Sequence, residues 1–393
     1  MIRPILGLAV GAMLVAAPAT AQTLAFTTGN LLVQRIGDGT SVLSGAAASV
    51  AVQEFASTGG SAVQTIGFPT TGSSQVTDSG TSTSHGYLNV FNGYVGMSGY
   101  NSAAGTASIA SQNTKVGTVL GGDGNVASRT LFPTGGATAS PPSPFSGSSF
   151  RSMIATGANT FYATGTASGA PNTGGAWFYD GSSFTQVSST TGTTVTNMRN
   201  VEIYGGQLYV SSASGSFLGI SAVGSGLPTV AGSAVNLVID MGTGASPFGF
   251  VMFDTNGDAV LDLAYVADDR TGAGGGLQKW ILGASGWSQS WQLRVSGTGE
   301  LSATSGGGLR GLTGTWDAVN GAQLFATTAE SSNNRLISIV DAGGSTPTSA
   351  TNLASAGANY VFRGVDIYAP IPAPGAIALL GIAGLAAGGR RRT

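Results

Sequence analysis

No cysteine occurs in the 393 residues, histidine occurs once, at position 85, and only 8% of the chain is charged. Without cysteine there are no disulfides, no thiolate metal sites and no thiol nucleophile. With a single imidazole there is little room for Ser/His or Cys/His catalysis, and none for a histidine-rich zinc centre. The 15 basic and 17 acidic residues are too few for the basic face that a nucleic acid requires, and too few for charge-driven disorder. Convincing helical periodicity is also missing, and no apolar run reaches the ~20 residues of a stable membrane span.

Glycine is plentiful, at 64 residues, about twice the usual share. Short β-rich runs alternate with Gly/Ser/Thr/Asn turns, which makes the chain all-β. Met1 to Ala21 reads as a secretory signal, with Arg3 as the positive start, Ile5 to Ala17 as the apolar core and Ala19-Thr20-Ala21 as the cleavage site. An exported chain without disulfides must rely on its own core or on ions, and one of this length can bury a core.

Internal similarity organises the middle of the chain. Phe150-Arg151-Ser152-Met153, Met198-Arg199-Asn200-Val201, Leu309-Arg310-Gly311-Leu312 and Phe362-Arg363-Gly364-Val365 share the pattern apolar, Arg, small, apolar. Ser84-His85-Gly86-Tyr87 and Pro247-Phe248-Gly249-Phe250 are weaker copies. A second strand follows each of the first five copies in chain order, at Tyr94, Phe161, Leu208, Ala264 and Leu324. The copy at Arg363 has none after it, and the missing strand stands at the other end, as Leu31-Leu32-Val33-Gln34. Third strands are expected at Val50 to Phe55, Ala107 to Ser111, Ala176 to Tyr179, Phe217 to Ser221, Leu277 to Leu282 and Leu336 to Val340. Fourth strands are weaker, as in Ala62 to Phe68 and Val126 to Phe132. Such sheets cannot bury both faces alone, so the expectation is a β-propeller of six four-stranded blades over residues 22–369, closed by pairing 362–368 with 31–68. A seventh blade would have to come from 115–148 or 225–247; an open solenoid would leave the split unit unexplained.

The repeated arginines are the first functional candidate. Arg151, Arg199, Arg310 and Arg363, with His85 at the matching place, would converge near one mouth of a propeller channel and bind carboxylate, sulfate, phosphate or an acidic sugar. The structural alternative has each arginine fixing a neighbouring blade through carbonyls or through acids such as Glu202 and Asp366. A second candidate is Asp254-Thr255-Asn256-Gly257-Asp258-Ala259-Val260-Leu261-Asp262, a tight loop rich in the oxygen donors Ca²⁺ requires. It resembles the calcium loop of FG-GAP propeller repeats, such as those of integrin α chains. That resemblance implies Asp254, Asn256, Asp258 and Asp262 as ligands, and departs at Ala259, where glycine is expected. Asp268-Asp269-Arg270 reads as a self-paired turn, and Trp280, Trp287 and Trp291 read as core rather than a sugar platform. No spacing selects a pair of carboxylates for glycoside hydrolysis.

The tail from 370 to 393 carries Pro372-Ala373-Pro374, a short apolar segment and Arg390-Arg391-Arg392. It resembles the PEP-CTERM sorting signal, with Pro-Ala-Pro in place of the usual Pro-Glu-Pro. The resemblance implies transient recognition by an exosortase, removal of the tail and delivery to the bacterial cell surface or extracellular matrix, with membrane contact only through the tail before processing. The function expected from these features is a non-enzymatic binding or structural module, with extracellular polysaccharide as a partner. The alternative is a propeller glycosidase or lyase acting on acidic polysaccharide.

Overall fold

In the computed structural model, which describes residues 23–188 and 197–370, the chain folds into strands joined by short turns, and the one helical element among those residues is a 3-10 turn at Ile109–Ser111. The signal segment 1–21 and the sorting residues Pro372, Pro374, Arg390, Arg391 and Arg392 lie outside the described residues. The strands group into six antiparallel sets of four, none closed into a barrel, with the short strand Thr77–Ser79 bridging the first two sets. Sheet A is Val361–Ile367, Leu31–Ile36, Ala47–Phe55 and Gln64–Gly67. Sheet B is Leu88–Phe91, Tyr94–Tyr100, Lys115–Leu120 and Val126–Leu131. Sheet C is Phe150–Gly157, Thr160–Gly165, Gly175–Tyr179 and Phe184–Gln186. Sheet D is Met198–Tyr204, Gln207–Ser214, Phe217–Val223 and Val235–Asp240. Sheet E is Pro247–Phe253, Leu263–Asp268, Gly276–Gly283 and Gly286–Val295, extended by Leu301–Ser302. Sheet F is Leu309–Asp317, Gly321–Thr328, Arg335–Asp341 and Thr351–Ser355.

The expected closure is present: the C-terminal strand runs antiparallel to the N-terminal one, with Leu31 opposite Ile367 and Val33 opposite Val365. Packing follows the same circuit. Leu32, Val52, Leu88 and Met97 join sheets A and B; Met153 and Phe161 pack on Tyr100 and Val119 between B and C. Ile154 and Tyr162 meet Val201 and Val210 between C and D, Ile220 meets Phe250 and Trp280 between D and E, and Tyr265 meets Leu309 and Leu324 between E and F. Phe325 and Leu336 meet Val33 and Phe362, returning from F to A. Each sheet is apolar on both faces because each face has a neighbour, which is the condition for stacked sheets to remove their surface from water.

Two expectations are corrected. Residues 107–111 form a turn that ends in the 3-10 segment Ile109–Ser111 rather than a third strand, and that strand is Lys115–Leu120, where Lys-Val-Gly-Thr-Val-Leu is entirely buried. The first strand of sheet B begins at Leu88, so His85 sits in the turn before it. The regions 115–148 and 225–247 supply outer strands of sheets B and D, so no seventh sheet exists among the described residues.

The repeated four-residue pattern has a backbone cause. In sheet F, Leu309 faces Thr328 and Leu312 faces Ala326, so Arg310 and Gly311 together oppose Thr327 alone. The same irregularity falls at Arg199-Asn200, Phe248-Gly249 and Arg363-Gly364, and a one-residue version at Arg151. These are β-bulges, which turn a strand and re-aim a side chain. The small residue follows from crowding. A Cβ at Gly311 would lie 2.5 Å from the Arg363 carbonyl oxygen, and one at Gly364 would lie 2.5 Å from the Leu88 amide nitrogen. First strands of neighbouring sheets touch backbone to backbone there. Hydroxyls from the second strands complete the seam: Ser98, Thr164 and Thr327 donate to the carbonyls of Arg151, Arg199 and Arg363 in the next sheet, at 3.0, 3.0 and 2.6 Å.

Urea unfolding is expected to show Gly311→Ala and Gly364→Ala each less stable by about 1–3 kcal/mol, the usual cost of overpacking. Gly272→Ala, where an added methyl meets nothing within 4 Å, is expected to unfold like the parent.

Candidate functional site

The six first strands touch in a cycle, A to B through F and back to A, so strands three steps apart face each other across the centre. At the end of the cycle where these strands begin, the bulges aim the repeated side chains inward. Arg151 donates to Asn197 Oδ1 and, at 3.3 Å, to the Met198 carbonyl. Arg199 donates to Ser246 Oγ at 2.9 Å and the Pro247 carbonyl at 3.1 Å, with its guanidinium 4.1 Å over the Phe248 ring. Arg363 donates to the Gly80 carbonyl at 3.0 Å. In two copies, then, an arginine clasps a backbone oxygen of the next sheet, and Arg363 clasps one in the loop that leads from sheet A to sheet B, as the structural reading of the repeat expects. Arg310 instead turns back toward Asp269 Oδ2, at 3.4 Å.

These bonds do not exhaust the donors. Arg151 Nε, Arg199 Nε, Arg310 Nη1, Arg363 Nε and Nη1, and the Tyr87 hydroxyl are all buried without a hydrogen-bond partner among the described residues. Tyr87, from sheet B, meets Phe248, from the opposite sheet E, at a ring distance of 6.3 Å. Arg199, Arg310 and Arg363 all lie close enough to the Tyr87 hydroxyl to favour its ionised form, although burial outweighs them and pushes it above the usual tyrosine range. Burial also pushes Arg363 down to about 10 and Arg151 down to about 9, with Arg310 and Arg199 adding repulsion. Guanidinium stays charged at neutral pH, so those shifts express the cost of holding buried charge without a counter-ion.

His85 joins this end through the loop before its strand. Its Nδ1 bonds Asp78 Oδ1 at 2.7 Å, its ring stacks on Tyr100 at 5.8 Å, and Gly86 packs on the stem of Arg363. Asp78 was not anticipated, since nothing in its spacing distinguishes it from other loop acids.

Glu202 and Asp366 do not pair with the arginines, against the sequence expectation. Each stands three residues beyond an arginine on its own strand, ~10 Å along an extended chain, and the two face each other at the other end of the cycle. They line a cavity of about 230 Å³ that all six first strands enclose, with Val90, Ile154, Val251 and Thr313 from the remaining four. Asp366 accepts from Val90 N at 2.6 Å, Thr313 Oγ1 at 2.7 Å and Ile367 N at 2.8 Å, fastening the strands on either side of it. Glu202 Oε1 accepts from Asn200 at 2.9 Å, the last link of a chain from Asn89 through Ser152 and Asn200. Burial pushes the Asp366 carboxyl up to about 6, and burial plus the charge of Asp366 pushes Glu202 well above the usual range.

In the loop Asp254–Asp262 the four named side chains serve their own turn. Asp254 accepts from the amides of Asn256, Gly257 and Ala259, Asp258 from Val260, and Asp262 from Thr255. Ala259 has φ of 68°, the left-handed conformation for which glycine is the ordinary choice. Among the described residues no group of three or more His, Asp or Glu side chains is gathered at one point; Asn256 and the backbone carbonyls of this loop are further oxygen donors of the kind Ca²⁺ takes. Arg270 makes two bonds to Asp268, at 2.8 and 2.7 Å, closing the self-paired turn. Trp280 is buried between sheets D and E, with Trp287 packed beside it, and Trp291 packs between E and F.

No family model matches the chain, and no curated protein does. Among solved structures the chain is similar to a crystal structure of a candidate 6-phosphogluconolactonase from Bacteroides uniformis, at 12% identity over 85% of this chain and 83% of that one, with a TM-score of 0.41. A likeness of that size carries no functional argument.

Two outcomes are expected. A carboxyl with a raised folded-state pKa keeps its proton where the unfolded chain has lost it, so stability falls as pH rises through the interval from ~4 to ~6; for Asp366 this is worth on the order of 3 kcal/mol by neutral pH. Unfolding midpoints are therefore expected to rise on acidification from pH 7.5 to 5, and Glu202→Gln to flatten that slope. For the loop, the calcium reading predicts a melting temperature that rises with Ca²⁺ and loses that rise in Asp258→Ala; melts that coincide with and without Ca²⁺ would reject it.

Proposed function

We propose that the chain is an exported, surface-sorted β-propeller of six blades that acts without catalysis as a binding or structural module of the cell surface or extracellular matrix, and that its arginine end holds a small anionic group. The observation that carries the binding reading is the set of buried, unpartnered donors on Arg151, Arg199, Arg310, Arg363 and Tyr87. An unmade hydrogen bond to a buried charged donor is costly, and one carboxylate, sulfate or phosphate placed among these donors would satisfy several of them at once. The propeller reading is supported by the circuit of six apolar interfaces and by the closing pair of Leu31–Ile36 with Val361–Ile367. Export rests on Met1 to Ala21, and sorting by an exosortase on the Pro372-Ala373-Pro374 and Arg390 to Arg392 tail, after which an acidic extracellular polysaccharide is the natural source of the anion.

Tyr87 and Phe248 meet across the centre, so the arginine end suits a single group rather than a threaded polymer. That geometry favours binding over a glycosidase or lyase reading. Thermal unfolding with sulfate, phosphate or glucuronate, each against chloride at equal ionic strength, tests the proposal. Saturating anion is expected to stabilise the protein by about 2.7 kcal/mol at one hundred times its dissociation constant, and Tyr87→Phe and Arg363→Gln are expected to weaken the effect. The absence of any rise above chloride would overturn the anion site.

A further inference from the structure

The carboxylate end is a separate place from the arginine end, and its chemistry is opposite. Every first strand contributes to its wall, and the wall is largely aliphatic: Val90, Ile154, Ile203, Val251 and Ile367 line it. No lysine, arginine or histidine is among the lining residues. Asp366 has three donors on its two oxygens and is therefore held in place by the fold. Glu202 is only 7% exposed; its Oε1 accepts from Asn200, while its Oε2 keeps some contact with solvent through the cavity and has no hydrogen-bond donor among the described residues. Tyr204 cannot supply one, because its hydroxyl donates to the Phe250 carbonyl at 3.0 Å. The exposed residues Thr315 and Ala369 form part of the rim, so the cavity is reached from solvent.

We propose that this cavity binds a small organic cation, a primary alkylammonium whose charged head meets Glu202 beside Asp366 and whose hydrocarbon body packs on the aliphatic wall. A divalent metal fits less well. It needs six or more oxygen ligands, whereas the oxygens of Asp366 are already engaged. A neutral sugar would find two acidic groups but few donor side chains for its hydroxyls, since Thr313 is committed to Asp366 and Thr315 stands at the rim. An alkylammonium matches both features of the site: apolar surface is removed from water, and a charge-assisted hydrogen bond is made to an otherwise unpartnered oxygen.

The titratable groups facing Glu202 are Asp366 from sheet A and Tyr204 from its own strand, while the strands of sheets B, C, E and F present none to the cavity. Burial and the neighbouring charge of Asp366 favour the protonated form of Glu202, while three donors hold the carboxylate of Asp366. Binding an ammonium group then releases the Glu202 proton to solvent, and no other atom is exchanged.

Isothermal titration of the full chain with n-butylammonium at pH 6, 7 and 8, in two buffers of different ionisation enthalpy, tests this. Expected are saturable binding, release of up to one proton, and affinity that weakens by up to about tenfold for each pH unit of acidification. Glu202→Gln, which keeps the shape and the bond to Asn200, is expected to fold as judged by its melting curve and to lose the binding. Glu202→Asp, which keeps the charge on a shorter stem, is expected to retain it in weakened form. Equal binding of n-butanol, tighter binding of Ca²⁺, undiminished binding by a folded Glu202→Gln protein, or no heat with n-butylammonium at any pH would each overturn the proposal. Sulfate added to the same titration separates the two ends: a response that tracks Arg363→Gln belongs to the arginine site and leaves this one standing.

Discussion

The close approach of six first strands around a common centre is the constraint from which the rest follows. Antiparallel sheets pack about 10 Å apart when side chains separate them, but here the backbones of neighbouring inner strands come within contact at Gly311 and Gly364. A regular strand could not turn tightly enough to do this and still pair with its own sheet. The bulge at the Arg-small dipeptide resolves the conflict by absorbing one extra residue, and Ser or Thr hydroxyls from the adjoining strands bond the carbonyls that the bulge exposes. The arginine is thereby aimed at the centre by the same irregularity that permits the packing.

That geometry also sorts the charges. An arginine in the bulge and an acid three residues later point to opposite ends of the central space, as Arg199 with Glu202 and Arg363 with Asp366 show. Between them runs a neutral belt, Asn89 to Ser152 to Asn200, which satisfies its own hydrogen bonds. Opposite charges are kept apart rather than paired, although pairing would have relieved both. The two ends accordingly differ: buried guanidinium donors without acceptors stand at one, and a carboxyl pair whose protonated form burial favours stands at the other. A protein so poor in charge places six of its ionisable groups in this way, and a role in packing explains only those atoms that have partners.

Much of the architecture was legible because the repeat is carried by residues with narrow tolerances. Apolar-Arg-small-apolar marks the bulge, and the split unit at Leu31 and Arg363 marks the closure, so six units and their order follow from the pattern. Ala107 to Ser111 misled because it imitates the apolar content of a third strand, whereas Lys115-Val116-Gly117-Thr118 hides one behind a lysine that the fold buries completely. The arginines were visible as candidates for the same reason as the bulges. The pairing of Glu202 with Asp366 was not, since 164 residues separate them in sequence and only closure of the cycle sets them face to face. The signal that might have found them is the shared offset from the repeat arginine, present in two of the six units. In the Asp254–Asp262 loop a calcium pattern and a set of Asx turns draw on the same residues, Asp254, Asp258 and Asp262 accepting from amides of their own turn.

The closing strand Val361–Ile367 gathers these threads. It carries Arg363 into one end and Asp366 into the other, it pairs with Leu31–Ile36, and it leads within three residues to Pro370. Asp366 bonds both neighbouring inner strands, so neither end is complete until the last strand is in place. An unclosed chain would expose the apolar faces of sheets F and A, joined in the native protein by Phe325, Phe362 and Val365. Binding competence and burial of the final interface therefore arrive together. On the proposed sorting route, the tail departs beside the carboxylate cavity, at whose rim Ala369 stands, and the arginine end faces away from it. The orientation follows from strand direction alone: first strands all run from the arginine end to the carboxylate end, so Ala369 lies on the acidic side.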